Sequence, residues 1–128
     1  MNSAPIKWYS KRQNIVESST FGSEFVALKI AVEMIEGLRF KLRMFGVALD
    51  GPANGFCDNN SVVQNVSNPA TLKKKHNFIA YHKVRESTVA GKKIVRVCFE
   101  QGKFNVADML TKVLSAKKLK DCAKRCLF

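Results

Sequence analysis

The chain has 128 residues, of which 22 are Lys or Arg, 10 are Asp or Glu and 46% are hydrophobic. That length is typical of one domain with its own core. No uncharged stretch supplies the roughly 20 apolar residues that a membrane-spanning helix needs, which excludes such a segment. The N-terminal MNSAPIKWYSKRQ has neither an apolar core nor a small-residue cleavage site, so we expect an intracellular protein of the cytoplasm or nucleus.

The positive charge is concentrated in the second half of the chain. Residues 1–64 carry 7 basic and 6 acidic side chains, whereas residues 65–128 carry 15 and 4. Clustered Lys and Arg bind phosphates with release of counterions, so this asymmetry favours a nucleic-acid partner. An acidic protein partner and a solvated lysine-rich surface stay open as alternatives.

The four cysteines do not form a metal-binding pattern. They stand at positions 57, 98, 122 and 126, without the paired C-x-x-C or C-x-x-H spacing of structural zinc sites. We therefore expect no zinc site from them. Cys122 and Cys126 lie four residues apart on a predicted helix, which favours packing as small hydrophobic side chains.

The first half of the chain predicts strands followed by a long helix. Residues 6–10 and 14–18 have extended patterns, and they predict two strands or one long bent strand. Between residues 22 and 45 apolar side chains recur every three or four positions, which predicts a helix that Gly46 ends. The Asp-Gly-Pro at 50–52 predicts a turn.

The second half predicts shorter elements in alternation. Residues 55–57 predict a buried strand, and residues 59–66 predict a brief helix that stops before Pro69. A second long helix is predicted from 72 to about 90. Residues 94–99 are β-branched and aromatic and predict a strand, and the chain from 105 onward predicts helix with a break near Ser115. The order β, α, β, α, α, β, α predicts an α/β sheet covered by helices.

Three carboxylates lie where predicted elements begin or end. Glu24 is on the apolar stripe of the first helix, Asp58 follows the strand at 55–57, and Asp108 is in the first turn of the helix near 105. Each has a simpler structural explanation, because acids and Asn often cap helices or complement their dipoles. Together, in a basic α/β chain, they predict a divalent-metal site for phosphoryl chemistry, since Mg²⁺ prefers carboxylate oxygens.

Short motifs follow one another in a fixed order along the chain: WYSKRQ at 8–13, SST at 18–20, EFVAL at 24–28, CDNNS at 57–61, KH at 75–76, YH at 81–82, RE at 85–86 and NVADMLTK at 105–112. This ordered set resembles the ribonuclease H domain at the end of copia-type LTR retrotransposon Pol polyproteins, over about residues 5–114. The resemblance implies one partial domain over residues 1–128, the C-terminal part of the family's domain, with residues 115–128 as a basic helical tail.

The resemblance implies a ribonuclease H-like mixed sheet with flanking helices. It also implies hydrolysis of the RNA strand of RNA–DNA hybrids with two Mg²⁺ ions, for which Mn²⁺ can substitute. Glu24, Asp58 and Asp108 correspond to catalytic, metal-binding carboxylates of the family. The implied partners are the hybrid and the upstream reverse transcriptase part of the same polyprotein.

The family's first catalytic Asp has no counterpart in this sequence. It belongs to a strand ahead of the Trp8 segment, whereas Glu17 is the only acid that precedes Glu24 here. We therefore expect a fold without its first two strands, and a chain that is inactive alone. The alternative is a non-catalytic, nucleic-acid-binding remnant of a retroelement.

Candidate contacts to phosphate come from the basic half. Lys73, Lys74, Lys75 and His76 are the best candidates, although a lysine run is more often a solvated surface. His76 and His82 lie on a predicted helix and not on the loop at 101–103, which favours a structural role or a phosphate contact over proton transfer.

Trp8 is expected to pack in a core or against a strand rather than to stack on a base.

Overall fold

The computed structural model describes residues 5–13, 20–68, 79–88 and 93–127. These residues pack as two compact units. The sheet unit comprises the described residues from 20 to 99, and the terminal unit comprises residues 5–13 and 100–127. The sheet unit contains α1 (Thr20–Met44), β1 (Ala53–Cys57), α2 (Asn60–Ser67), α3 (Ile79–Ser87) and β2 (Val95–Phe99), and the terminal unit contains α4 (Asp108–Thr111) and α5 (Ala116–Leu127).

A two-stranded parallel sheet organises the sheet unit. β1 and β2 pair in register from Ala53 opposite Val95 to Cys57 opposite Phe99. Successive side chains of a strand point to opposite faces, so Val95 is buried while Arg96 is exposed. On the exposed face the Arg96 Nε donates a hydrogen bond of 3.0 Å to the Asn54 Oδ1. The mixed α/β class that the sequence predicts is confirmed.

Three helices cover the inner face of this sheet. The shared core contains Val32 of α1, Val62 of α2, Val84 of α3 and Val95 of β2, and each of these side chains is 0% exposed. Burying a side chain of this size contributes about 1.5–3 kcal/mol relative to leaving it in water. The same core also includes Phe25, Leu28, Cys57, Val66 and Val97.

A polar contact joins α1 to α3 beside that core. The Glu36 carboxylate accepts a hydrogen bond from the Ser87 Oγ and pairs with the Lys83 Nζ at 2.8 Å. The hydrogen bond to Glu36 raises the pKa of Lys83, because it favours the charged ammonium. Ser87 is 0% exposed, so the contact also satisfies a hydroxyl that would be costly to bury alone.

The first helix ends where the sequence predicts. Gly46 has φ +75°, a conformation that suits glycine, and its N–H donates to the Arg43 carbonyl at 2.9 Å. The Val47 N–H donates to the Leu42 carbonyl at 3.0 Å, which completes the cap. Among the described residues, neither α1 nor any other helix combines the length and apolarity that crossing a bilayer requires.

The predictions of a strand at residues 6–10 and of a packed Trp8 are wrong. Residues 5–13 contain no strand, and Trp8 is 70% exposed instead of packed. Strand propensity acts only when a neighbouring strand supplies hydrogen bonds, and residues 6–10 pair with none among the described residues. The predicted strand at 14–18 lies outside the described residues. The described sheet is parallel throughout, so the mixed strand directions of the ribonuclease H-like fold stay a prediction.

The helix predictions of the second half hold with shifted boundaries. α3 covers the later part of the helix predicted at 72–90, while residues 69–78 lie outside the described residues. The helix predicted from 105 begins only at Asp108, because the Asn105 Oδ1 accepts a hydrogen bond from the Ala107 N–H at 3.1 Å and forms a turn. The predicted break near Ser115 separates α4 from α5.

We predict that Val32→Ala lowers the free energy of unfolding by about 2 kcal/mol, because it removes two methyl groups from a closed core. Val47→Ala is the matched control in the same unit. Val47 is 41% exposed, so its loss is expected to change stability by less than about 0.5 kcal/mol. Chemical denaturation measures both, and equal losses would contradict the assignment of Val32 to the core.

Candidate functional site

Glu24 and Asp58 lie close together in the sheet unit, beside Cys57. One ligand atom from each of these three residues lies within 4.8 Å of the other two. Glu24 is in the second turn of α1, next to Phe25, and Asp58 directly follows β1. Both carboxylates are half-buried, whereas Cys57 is 7% exposed. Of the three carboxylates that the sequence predicted to share a metal site, Glu24, Asp58 and Asp108, the structure brings the first two together.

Local hydrogen bonds fix the position of Asp58. The next residue, Asn59, is the N-cap of α2, and its Oδ1 accepts hydrogen bonds from the N–H groups of Ser61 at 3.1 Å and Val62 at 3.3 Å. The capping role is therefore performed by Asn59, which leaves Asp58 between the end of a strand and the start of a helix. In parallel sheets that junction is where ligands commonly bind.

Cys57 belongs to this cluster although the sequence suggested only a buried strand residue. Its burial raises the pKa of the thiol, and the carboxylates of Glu24 and Asp58 raise it further, partly offset by a backbone hydrogen bond at Asn59. The thiol is thus held in its neutral form at neutral pH. Its position directly before Asp58, on the inward side of the strand, is the signal that could have identified it.

Glu24 and Asp58 fit a hard divalent cation. Oxygens that share one Mg²⁺ at about 2.1 Å lie at most about 4.2 Å apart, which is close to the 4.8 Å within which the ligand atoms of the cluster lie. A neutral thiol is a poor ligand for Mg²⁺ and contributes no charge. The cluster therefore supplies two carboxylate ligands, and any further ligand has to come from another group.

Asp108 lies in the terminal unit, where two lysines surround it. Its Oδ1 is 2.7 Å from the Lys112 Nζ, and its Oδ2 accepts a hydrogen bond of 3.0 Å from the Lys118 Nζ. Asp108 is 5% exposed. Hydrogen bonds from Lys112 and then Lys118 hold the pKa of Asp108 below its ordinary value despite burial. These contacts give Asp108 a structural role within its own unit, and its role as a third metal ligand stays a prediction.

The predicted phosphate contacts fall largely on residues outside the described part of the chain. Lys73, Lys74, Lys75 and His76 all lie within residues 69–78, so their role stays a prediction. His82 is described, and it is an exposed residue of α3. Its ring lies edge-on to Tyr81, with 5.7 Å between the ring centroids. The choice between a structural role and a phosphate contact for His82 therefore stays a prediction.

Comparisons with known proteins relate the chain to transposon polyproteins. It is 29% identical over 122 residues, 94% of its length, to a Retrovirus-related Pol polyprotein from transposon RE1 of Arabidopsis thaliana. It is 30% identical over 112 residues, 87% of its length, to the corresponding polyprotein from transposon RE2 of the same plant. The chain spans about 8% of the length of these curated relatives. No protein-family model matches the chain, and no solved structure matches it significantly.

We predict that Mn²⁺ broadens the amide NMR signals around Glu24 and Asp58 more strongly than others of the sheet unit. Binding is expected to be weak, because only two carboxylates are provided. The double variant Glu24→Gln, Asp58→Asn should lose the selective broadening, whereas Asp50→Asn, which removes an exposed carboxylate of the same unit, should keep it. Broadening that survives the double variant would contradict a metal site there.

A second prediction concerns acid sensitivity of the terminal unit. Because the folded pKa of Asp108 is lowered, its ion pairs stabilise the fold above about pH 4 and are lost as the pH falls through that lowered pKa. Lys112→Met should raise the Asp108 pKa toward its ordinary value, as followed by carbon NMR of the carboxyl group. The control is Lys120→Met on α5, and a similar rise in that variant would contradict a specific effect of Lys112.

Proposed function

We propose that the chain is the C-terminal part of a ribonuclease H domain from a copia-type retrotransposon Pol polyprotein. The complete domain would hydrolyse the RNA strand of an RNA–DNA hybrid. The observation that carries the proposal is the approach of Glu24 and Asp58 at the end of a parallel strand. Similarity to two transposon Pol polyproteins over most of the chain supports the same origin.

The two carboxylates concentrate negative charge at one point of the sheet unit. Glu24 is held there by α1, and Asp58 by the strand before it and the capped helix after it. A bound Mg²⁺ would activate an attacking water and stabilise the leaving oxygen of the phosphodiester. The neutral thiol of Cys57 neither adds charge nor supplies a thiolate that would favour a softer ion. The donor set thus suits Mg²⁺ or Mn²⁺.

The proposal assigns the third carboxylate to Asp108. Two ammonium groups now neutralise this residue, so its use as a ligand requires at least one of its lysine contacts to open. The ribonuclease H family that the chain resembles has a first catalytic Asp, and residues 1–23 contain no counterpart of it. Two-metal catalysis needs the carboxylates that hold both ions in register, and we therefore infer that the 128 residues alone are inactive.

A nucleic-acid-binding remnant without catalysis is the second candidate. The charge distribution favours it, because residues 65–128 carry 15 basic and only 4 acidic side chains. Such a surface binds phosphates without any need for the carboxylate cluster. The two candidates differ in whether substitutions at Glu24 and Asp58 have a functional effect once an upstream strand is supplied.

We predict no hybrid-dependent cleavage by the 128-residue chain with Mg²⁺ or Mn²⁺. The same chain, fused behind the residues that precede the matched region in the transposon RE1 polyprotein, should cleave the RNA strand of a labelled hybrid. Asp58→Asn in the fusion should lower the cleavage rate by at least about 100-fold, since it removes charge while keeping shape. Asp50→Asn is the control and should leave the rate unchanged.

Other outcomes of this assay separate the candidates. In one outcome the unextended chain cleaves the hybrid and loses that cleavage on Asp58→Asn. This result would show that the family's first catalytic Asp, which only the fusion supplies, is dispensable. Equal cleavage by the fusion and its Asp58→Asn variant would reject Asp58 as a catalytic residue. A folded fusion that binds the hybrid but never cleaves it would favour the remnant.

A further inference from the structure

A cavity of about 470 Å³ lies within the terminal unit, and the metal site does not use it. One wall is a face of α5, which contributes residues at three- and four-residue spacing, and the other is the turn at Lys103 and Phe104. Five cationic side chains line the cavity against one acidic side chain, Asp121. The cations are Lys103, Lys117, Lys118, Lys124 and Arg125.

The framework of the cavity is held by two of its cations. The Lys118 Nζ donates to the Gly102 carbonyl at 3.3 Å and to Asp108, which ties α5 to the preceding turn. The Arg125 Nη1 donates to the Phe104 carbonyl at 3.1 Å, and its guanidinium carbon lies 4.8 Å from the centre of the Phe104 ring. The Lys103 Nζ lies 4.7 Å from the same ring centre. The ring therefore orients two positive groups at the cavity.

The remaining positive charge is not neutralised within the described residues. Lys103, Lys117 and Lys124 are exposed, and none of them forms a salt bridge with a described acidic residue. Asp121 is the single carboxylate that lines the cavity. Like charges held this close repel one another, and a ligand with regularly spaced negative charges relieves that repulsion.

We propose that this cavity binds the phosphodiester backbone of a nucleic-acid strand. Its volume is within the range of ligand sites and exceeds what a single small anion requires. Lysines together with an arginine suit phosphate oxygens, and the Phe104 ring, 39% exposed, adds the aromatic surface typical of strand-binding grooves. The proposal shares its ligand class with the proposed nuclease, but it needs no metal, and Lys103, Lys117 and Lys124, on which its test relies, do not contact the proposed metal-binding carboxylates.

The test measures binding in EDTA, so that catalysis plays no part. A fluorescent 20-nucleotide single strand and the matching RNA–DNA hybrid are titrated with the full chain at several salt concentrations. The triple variant Lys103→Gln, Lys117→Gln, Lys124→Gln should flatten the plot of log affinity against log salt, by up to about 0.7 per lost contact for the single strand and about 0.9 for the duplex. The matched control, Lys41→Gln, Arg43→Gln, Lys120→Gln, removes the same charge at exposed positions that do not line the cavity.

Each result decides the proposal. A flattened slope in the cavity variant alone supports it, and the probe with the larger change identifies the preferred form of nucleic acid. Equal slopes in the two variants would overturn it, because the effect would then reflect net charge. Competition by polyglutamate at equal charge concentration would also overturn it, in favour of an acidic protein ligand. A flattened salt slope in the cavity variant tests only the cavity, and a loss of cleavage on Asp58→Asn tests only the carboxylate site.

Discussion

Burial of the inner face of the parallel sheet is the constraint on which the candidate site depends. Phe25 and Cys57 are packed in the same hydrophobic core, and each directly adjoins one of the two carboxylates, Glu24 and Asp58. The acids therefore meet because their apolar neighbours do. Repulsion between two half-buried carboxylates opposes that meeting, and the free energy of core packing offsets it.

The two units use their charges for different purposes. In the sheet unit an ion pair joins two helices, because Glu36 of α1 pairs with Lys83 of α3. In the terminal unit a buried Asp108 organises lysines, and the surplus of cations lines a cavity. Breaking the Asp108 pairs would leave a buried charge uncompensated, which costs more than the net stabilisation by an exposed pair.

Periodicity and capping signals in the sequence were sufficient for most elements of the sheet unit. The stripe from Phe25 to Val32 and the Gly46 stop predicted α1, and Asn59 predicted the start of α2, because these signals act over a few neighbouring residues. The prediction of a strand at 6–10 was wrong, because a strand forms only with a partner that can be distant in sequence. The same limit applies to the sites. Asp58 was predictable from its junction, and the place of Cys57 directly before it was a usable signal, whereas the cavity beside Phe104 required the three-dimensional packing.

The outer face of the sheet has a consequence for handling the protein. Phe56 on that face is 61% exposed, and Phe99, which ends β2 on the side of Val95 and Val97, is 50% exposed. Among the described residues β1 and β2 each have only one neighbouring strand. Unpaired strand edges next to exposed aromatic rings are templates for association between copies. The net charge of +12 opposes such association by mutual repulsion. Colloidal stability of the isolated chain should accordingly fall as salt screens that repulsion.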